Sequence, residues 1–203
     1  SNPDGLQGKA TQDASKQTVQ AVCNAYENGF LAPERGFRRR QAEMRILVYG
    51  AGVQGCELAH RLLQNKKNVV TILARGEWKE RLEQRGLVIR HWAQCRTTTD
   101  RVATIDKLAP DDCYDLIFVT MQAGQLSEVL PILKQNRSEY IVFVGNDPNA
   151  QAVLQAMQRP ADKVAFGFQD NAGRREVDKV VSVHTGVGMT VGGATAPLSG
   201  VFR

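Results

Sequence analysis

None of the four cysteines, Cys23, Cys56, Cys95 and Cys113, lies at Cys-x-x-Cys spacing from another, and no zinc-type array occurs. That excludes a dithiol redox motif or a zinc knuckle. A chain of 203 residues can bury a core without disulfide or metal staples, so free thiols in a reducing cytoplasm are the expectation. Long apolar runs are missing as well. Stretches such as 141–144 are far too short to span a bilayer, and no segment has the pattern of a signal peptide. Massed charge is also lacking: the net charge is +5, and the only basic cluster is Arg38-Arg39-Arg40. A nucleic-acid surface would want more, preferably with aromatics among the basic residues. A modest positive balance equally suits a protein that holds a multiply phosphorylated cofactor. With 42% apolar and 23% charged residues and no internal repeat, the composition is that of a globular domain without a membrane.

The chain divides into three segments. Residues 1–43 are read as an extension, polar at first, with an amphipathic helix from Asp13 to about Gly29 carrying Val19, Val22, Cys23 and Tyr26 on one face. It is either foreign to the domain or a docking helix for a partner subunit. Residues 44–193 alternate strands and helices, and 194–203 read as a linker stub. Arg45-Ile-Leu-Val-Tyr49 is a continuous apolar run, as a parallel strand covered on both faces requires. A helix is expected over 54–64, a strand over 69–73, a charged helix over 77–84, and a hairpin or edge excursion over 87–89 and 97–104. Strands over 115–120, 140–144 and 163–168 alternate with helices over 125–134 and 150–158. The segments 180–184 and 189–191 read as a short antiparallel pair at the edge. The fold class expected is α/β, a doubly wound, Rossmann-type, mostly parallel sheet with an antiparallel edge hairpin.

Between the first strand and the first helix stands Gly50-Ala51-Gly52-Val53-Gln54-Gly55. A lone Gly-x-Gly-x-x-Gly is a weak signal, but this one follows a strand, opens a helix and starts a βαβ unit. In that context Gly50 permits the tight turn, Gly52 admits a pyrophosphate, and Gly55 allows close helix–strand packing. The end of the second strand selects the cofactor. It reads Leu73-Ala74-Arg75-Gly76, with no carboxylate before Glu77. Arg75 can hold a 2′-phosphate with two hydrogen bonds, so NADP is the expected cofactor, with Lys79 one turn further in support. The alternative is that Arg75 is a solvated surface residue. Gln122 and Gln125 follow the next strand and Asn146 the one after, where a doubly wound fold places its ligand. Asn146 or Asp147 could instead only cap a helix that Pro148 begins.

With these segments in place, 44–193 resembles the nucleotide-binding domain of the ketopantoate reductases, the 2-dehydropantoate 2-reductase family. The resemblance rests on the opening Met44-Arg-Ile-Leu-Val-Tyr-Gly-Ala-Gly-Val-Gln-Gly55, on Arg75, and on Val-Thr-x-x-Ala-x-Gln at Val119 to Gln125. It rests also on Asn146, and on Phe166-Gly-Phe followed by His184-Thr-Gly and Gly192-Gly193. It implies NADPH-dependent reduction of a 2-keto acid, with the cofactor held by the glycine turn, Arg75 and Gln125 and with Asn146 near the nicotinamide ribose and substrate. It allows a homodimer. Two departures stand out: Gln122 takes the place of a lysine usual in the family, and Asn146-Asp-Pro-Asn149 replaces an Asn-Gly-x-Gly segment.

In the family the general-acid lysine and a substrate-binding carboxylate come from a C-terminal helical domain. Carbonyl reduction needs a proton donor or stabilisation of the developing alkoxide. His184 and Lys163 are the nearby candidates, and both read better as structural. The expected catalytic acid is therefore outside this chain. The rival reading is a non-catalytic dinucleotide-binding module that senses redox state or regulates a partner, favoured by Gln122 and the altered Asn146 segment. A flavin-type domain fits less well, because Arg75 stands where an acidic residue is expected.

Overall fold

A computed structural model describes residues 43–145 and 150–202. The helix expected at 13–29 and the segment Asn146-Asp-Pro-Asn149 lie outside the described residues.

The apolar run at the start of the domain is β1, Met44–Tyr49. Alternate side chains serve two cores: Ile46 and Val48 enter one, Leu47 and Tyr49 the other. Both faces of the strand are thus covered, as parallel strands require. The turn leads into α1, Val53–Leu63, and then β2, Asn68–Leu73, parallel to β1. Helix α2, Gly76–Arg85, buries Trp78 and Leu82 and ends at Gly86. Next come β3, Leu87–His91, β4, Arg96–Asp100, and β5, Ala103–Ile105. β6, Leu116–Val119, α3, Ala123–Gln135, β7, Tyr140–Val144, and α4, Ala150–Met157, restore the alternation. Pro131 sits on the exposed side of α3, where the Ser127 carbonyl that loses its helical donor is left to solvent. The chain closes with β8, Val164–Arg175, and β9, Val180–Gly193.

Among the described residues the strands form one sheet in the order β4-β3-β9-β8-β7-β6-β1-β2-β5. Six neighbours, β8-β7-β6-β1-β2-β5, run parallel. Taken in chain order they are the 3-2-1-4-5-6 arrangement of a dinucleotide fold, with the reversal of direction between β1 and β6.

Two expectations are corrected. The threonine-rich stretch 97–104 is two strands: β4 pairs with β3 at one end of the sheet, and β5 pairs with β2 at the other. Only Arg101 and Val102 separate them, a reach of about 11 Å, whereas nine strands laid flat would span roughly 38 Å. The sheet must therefore curl back on itself. It does so around α1, which touches β1, β2, β3, β8 and β9. The second correction concerns 180–191. It is not a short pair at the edge but part of the single strand β9, inside the sheet between β8 and β3. Between the two segments the register shifts opposite Gln169 and Asn171. Such a bulge bends a long strand and increases its twist.

The stretch read as a linker is packed onto the body. A 3₁₀ turn, Ala196–Leu198, precedes Val201, and both Leu198 and Val201 are buried. Asn68 Nδ2 donates to Leu62 O at 2.8 Å and to Val201 O at 2.9 Å, and Asn65 Nδ2 donates to Gly200 O at 2.8 Å. Phe202 tilts against Phe118 with ring centroids 6.1 Å apart. Asn68→Ala removes two hydrogen bonds, with Leu62 O keeping the Asn65 N–H at 3.2 Å and Val201 O the Asn65 Nδ2 at 3.4 Å, and is expected to cost about 1–3 kcal/mol. Thermal unfolding should register this as a fall in Tm of several degrees, and hydrogen exchange as faster opening of 198–202. An unchanged Tm would show that these bonds hold nothing.

Candidate functional site

At the β1–α1 junction two of the three glycines are required by packing. Gly50 has φ +122°, and a Cβ there would lie 2.9 Å from Thr120 Oγ1. That hydroxyl, at the end of β6, donates to Gly50 O at 2.9 Å. A Cβ on Gly55 would come within 1.9 Å of Gly50 O. Gly52 is different: a Cβ there meets nothing within 4 Å. Gly52 is also the N-cap of α1, with no side-chain cap and no acidic residue in the first turn. Helix-end N–H groups and a partial positive charge therefore face open space, the arrangement that binds phosphate.

That space is a cavity of about 940 Å³ at the carboxyl ends of β1, β2, β6 and β7, the size of a small-molecule site. Its wall includes Gly50, Ala51, Gly52, Val53 and Gln54, together with Gln122 at the N-cap of α3 and Gln125 within it. Arg75, the N-cap of α2, closes one end. The Tyr49 phenol sits beside it; burial pushes this hydroxyl up, opposed by the Arg75 charge and a hydrogen bond. No carboxylate, lysine or histidine is among the described residues of the wall, whose two charged groups are Arg75 and Arg175.

Of the residues expected from sequence, Gly50 to Gln54, Arg75, Gln122 and Gln125 meet around one cavity. Gly55 lies behind the turn as its packing partner, and Asn146 is outside the described residues. Lys79 is not in the wall; it pairs with Glu83 at 3.4 Å. Lys163 pairs with Glu139 at 2.6 Å, and this hydrogen bond pushes its amine further up, away from acid work at neutral pH. Sequence reasoning missed Trp78, Arg175 and the role of the Thr120 hydroxyl. Trp78 could have been found, since it follows Arg75 by one helical turn. Arg175 carries no local signal: it stands one hundred positions from Arg75 and arrives only because β8 is long. Among the described residues no group of three or more potential ligands is placed to hold a metal, and no helix is long and apolar enough to cross a membrane.

Gly55→Ala forces a methyl into backbone and is expected to destabilise by about 1–3 kcal/mol, or roughly 2–12 °C in Tm. Gly52→Ala, at φ −79° with open space beyond, should leave Tm within about 1 °C. Differential scanning calorimetry separates the two; equal losses would contradict the packing described.

A 2-dehydropantoate 2-reductase from Geobacter metallireducens superposes with a TM-score of 0.62 at 19% identity, covering 74% of this chain and 49% of that one. The Methylococcus capsulatus 2-dehydropantoate 2-reductase gives 0.59 at 19% identity, covering 78% and 55%. A D-mandelate dehydrogenase solved with NADH and anilino(oxo)acetate gives 0.61 at 17% identity, covering 73% and 48%. This chain thus spans about half the length of the solved structures it matches. No curated protein matches. The family model described as ketopantoate reductase PanE/ApbA matches residues 46–196. The chain belongs to the ketopantoate reductase PanE/ApbA family.

Proposed function

We propose that residues 44–193 are the NADP-binding domain of an NADPH-dependent reductase that converts a ketopantoate-like 2-keto acid to the 2-hydroxy acid. The observation that carries this is the open space over Gly52 at the uncapped start of α1, in a cavity whose described charges are both arginines. A dinucleotide carries a run of phosphates, and in this wall the Gly50–Gln54 turn leaves room for an anion while Arg75 and Arg175 can donate to one. Gly50 to Gly55 would hold the pyrophosphate, Arg75 the adenosine 2′-phosphate, and Gln122 and Gln125 the nicotinamide half. Asn146 is proposed near the nicotinamide ribose and substrate. The bound nicotinamide would supply the hydride.

What the chain itself contributes is binding, orientation and exclusion of water. Phe143 and Phe166, stacked with centroids 5.7 Å apart, give one wall an apolar surface. The proton for the developing alkoxide is a separate requirement. Gln122 can donate a hydrogen bond but carries neither charge nor an exchangeable acid proton at neutral pH. No other described wall residue is a general acid near neutrality, since burial holds Tyr49 above its ordinary range. Lack of a general acid typically costs about 10²- to 10⁴-fold in rate.

Gly52→Val should abolish NADPH binding while leaving circular dichroism unchanged, because its side chain enters the space proposed for the pyrophosphate. Arg75→Ala should weaken NADPH by about 10- to 150-fold and leave NADH nearly unchanged, the worth of a charged hydrogen bond. Titration of each variant with both cofactors is the measurement; unaltered NADPH affinity in Gly52→Val sinks the cofactor assignment. With NADPH and ketopantoate, the chain is expected to oxidise NADPH no faster than about one hundredth of an ordinary enzyme turnover. Normal turnover would place the acid within these 203 residues. The same gap in the wall also suits a dinucleotide-binding module without catalysis. That reading gains if a form extended past Arg203 is equally inactive.

A further inference from the structure

We propose that Arg175 is a second specificity arginine, holding the adenosine 2′-phosphate together with Arg75 across the face of Trp78. This rests on the dinucleotide reading above and deepens it.

Three observations meet here. Arg175 lines the cavity from the far end of β8, and its guanidinium carbon lies 5.2 Å from the centroid of the Trp78 ring. Trp78 is buried in the first turn of α2, three residues after Arg75 at the N-cap, so both project from the same end of that helix. Neither arginine has a carboxylate partner among the described residues, and none of the described wall residues is acidic.

The manner of anchoring matters. A salt bridge would fix Arg175 by neutralising it, whereas an aromatic face orients a guanidinium and leaves its charge and its N–H groups for a ligand. The adjacent Arg174 shows the contrast. It points to the other side of the strand and is bonded to Glu176 through Nε at 3.0 Å and Nη2 at 2.7 Å. A phosphate monoester near neutrality carries a charge between about −1.5 and −2, more than one guanidinium offsets. Two arginines at one end of α2 match it. A pyrophosphate role for Arg175 fits less well, because the uncapped α1 start already supplies those donors.

The test uses the full chain with NADPH, NADH, adenosine 2′,5′-bisphosphate and 5′-AMP as probes, read by calorimetric titration. Arg175→Gln should weaken NADPH and adenosine 2′,5′-bisphosphate by about 10- to 100-fold, leaving NADH and 5′-AMP within about twofold. Trp78→Leu, which removes the platform but not the charge, should give a smaller loss of the same selective kind, and Trp78→Phe should restore most of it. Arg175→Lys should keep part of the preference and confirm that charge is involved even if the glutamine variant folds poorly. NADPH affinity unchanged in folded Arg175→Gln overturns the proposal, and so does equal weakening of NADPH and NADH. Loss of preference in Arg75→Ala but not in Arg175→Gln overturns this inference alone. A native chain that binds NADH as tightly as NADPH overturns the NADP reading and this one together.

Discussion

The contact on which the rest of this domain depends is the approach of α1 to the end of β1, where Gly55 sits under the carbonyl of Gly50. With a space of 1.9 Å between the position of an added Cβ and that oxygen, only glycine fits. The Thr120 hydroxyl then ties the same carbonyl to the end of β6. This joins the first and fourth strands of the parallel sheet at the place where its winding reverses, and it aims the start of α1 into the crevice that the reversal opens. Gly52, between the two packed glycines, is left facing that crevice with nothing above it.

The curl of the sheet is the second constraint. β4 and β5 are near neighbours in the chain and opposite ends of the sheet, so the antiparallel half wraps α1 rather than extending away from it. The wrapping encloses polar groups that must find partners. His60 Nδ1 lies 2.5 Å from Asp100 Oδ2, and His91 Nε2 lies 2.8 Å from the Thr98 hydroxyl, with the two imidazoles 5.0 Å apart. The first bond fastens α1 to the β3–β4 hairpin, and the second joins the hairpin's own two strands. Cys56, beneath them, has its thiol pushed up to about 12 by burial, which keeps it an inert apolar residue. The same wrapping carries the end of β8 over the start of α2 and delivers Arg175 to Trp78.

The two clusters of buried polar contacts divide the domain's labour. At the amino ends of the strands, Arg159 donates to the carbonyls of Leu133, Asn136 and Ser138, and Asn136 Nδ2 bonds Ala109 O and Asp112 O at 2.8 Å each. Burial lowers the Arg159 pKa, and its Nη1 and Nη2 groups hold three carbonyls of the neighbouring loops. At the carboxyl ends the described arginines of the cavity wall have no such carbonyl cage and no carboxylate. Positive charge is consumed structurally at one end, and at the other the described wall arginines have no carboxylate partner.

Strand and helix periods, the glycine turn and Arg75 were legible from the sequence, because each depends on neighbours within a few residues: a buried parallel strand needs a continuous apolar run, and a tight strand–helix turn needs glycine. Those same local rules misread 97–104 and 180–191. A threonine-rich alternation looks the same whether it is one strand or two, and glycines mark a bulge as readily as a turn. The cavity's charge balance was not legible either, since Arg175 is remote from Arg75 in the chain and reaches it only through a long strand and a curled sheet. Likewise 194–202 has a linker's composition, yet Asn65 and Asn68, more than a hundred positions earlier, hold it to the body. The sequence by itself determined the parallel core and the place where a phosphate chain would lie. Only the tertiary structure decided which distant charges face that place, because electrostatic surroundings are set by proximity in space and not by order along the chain.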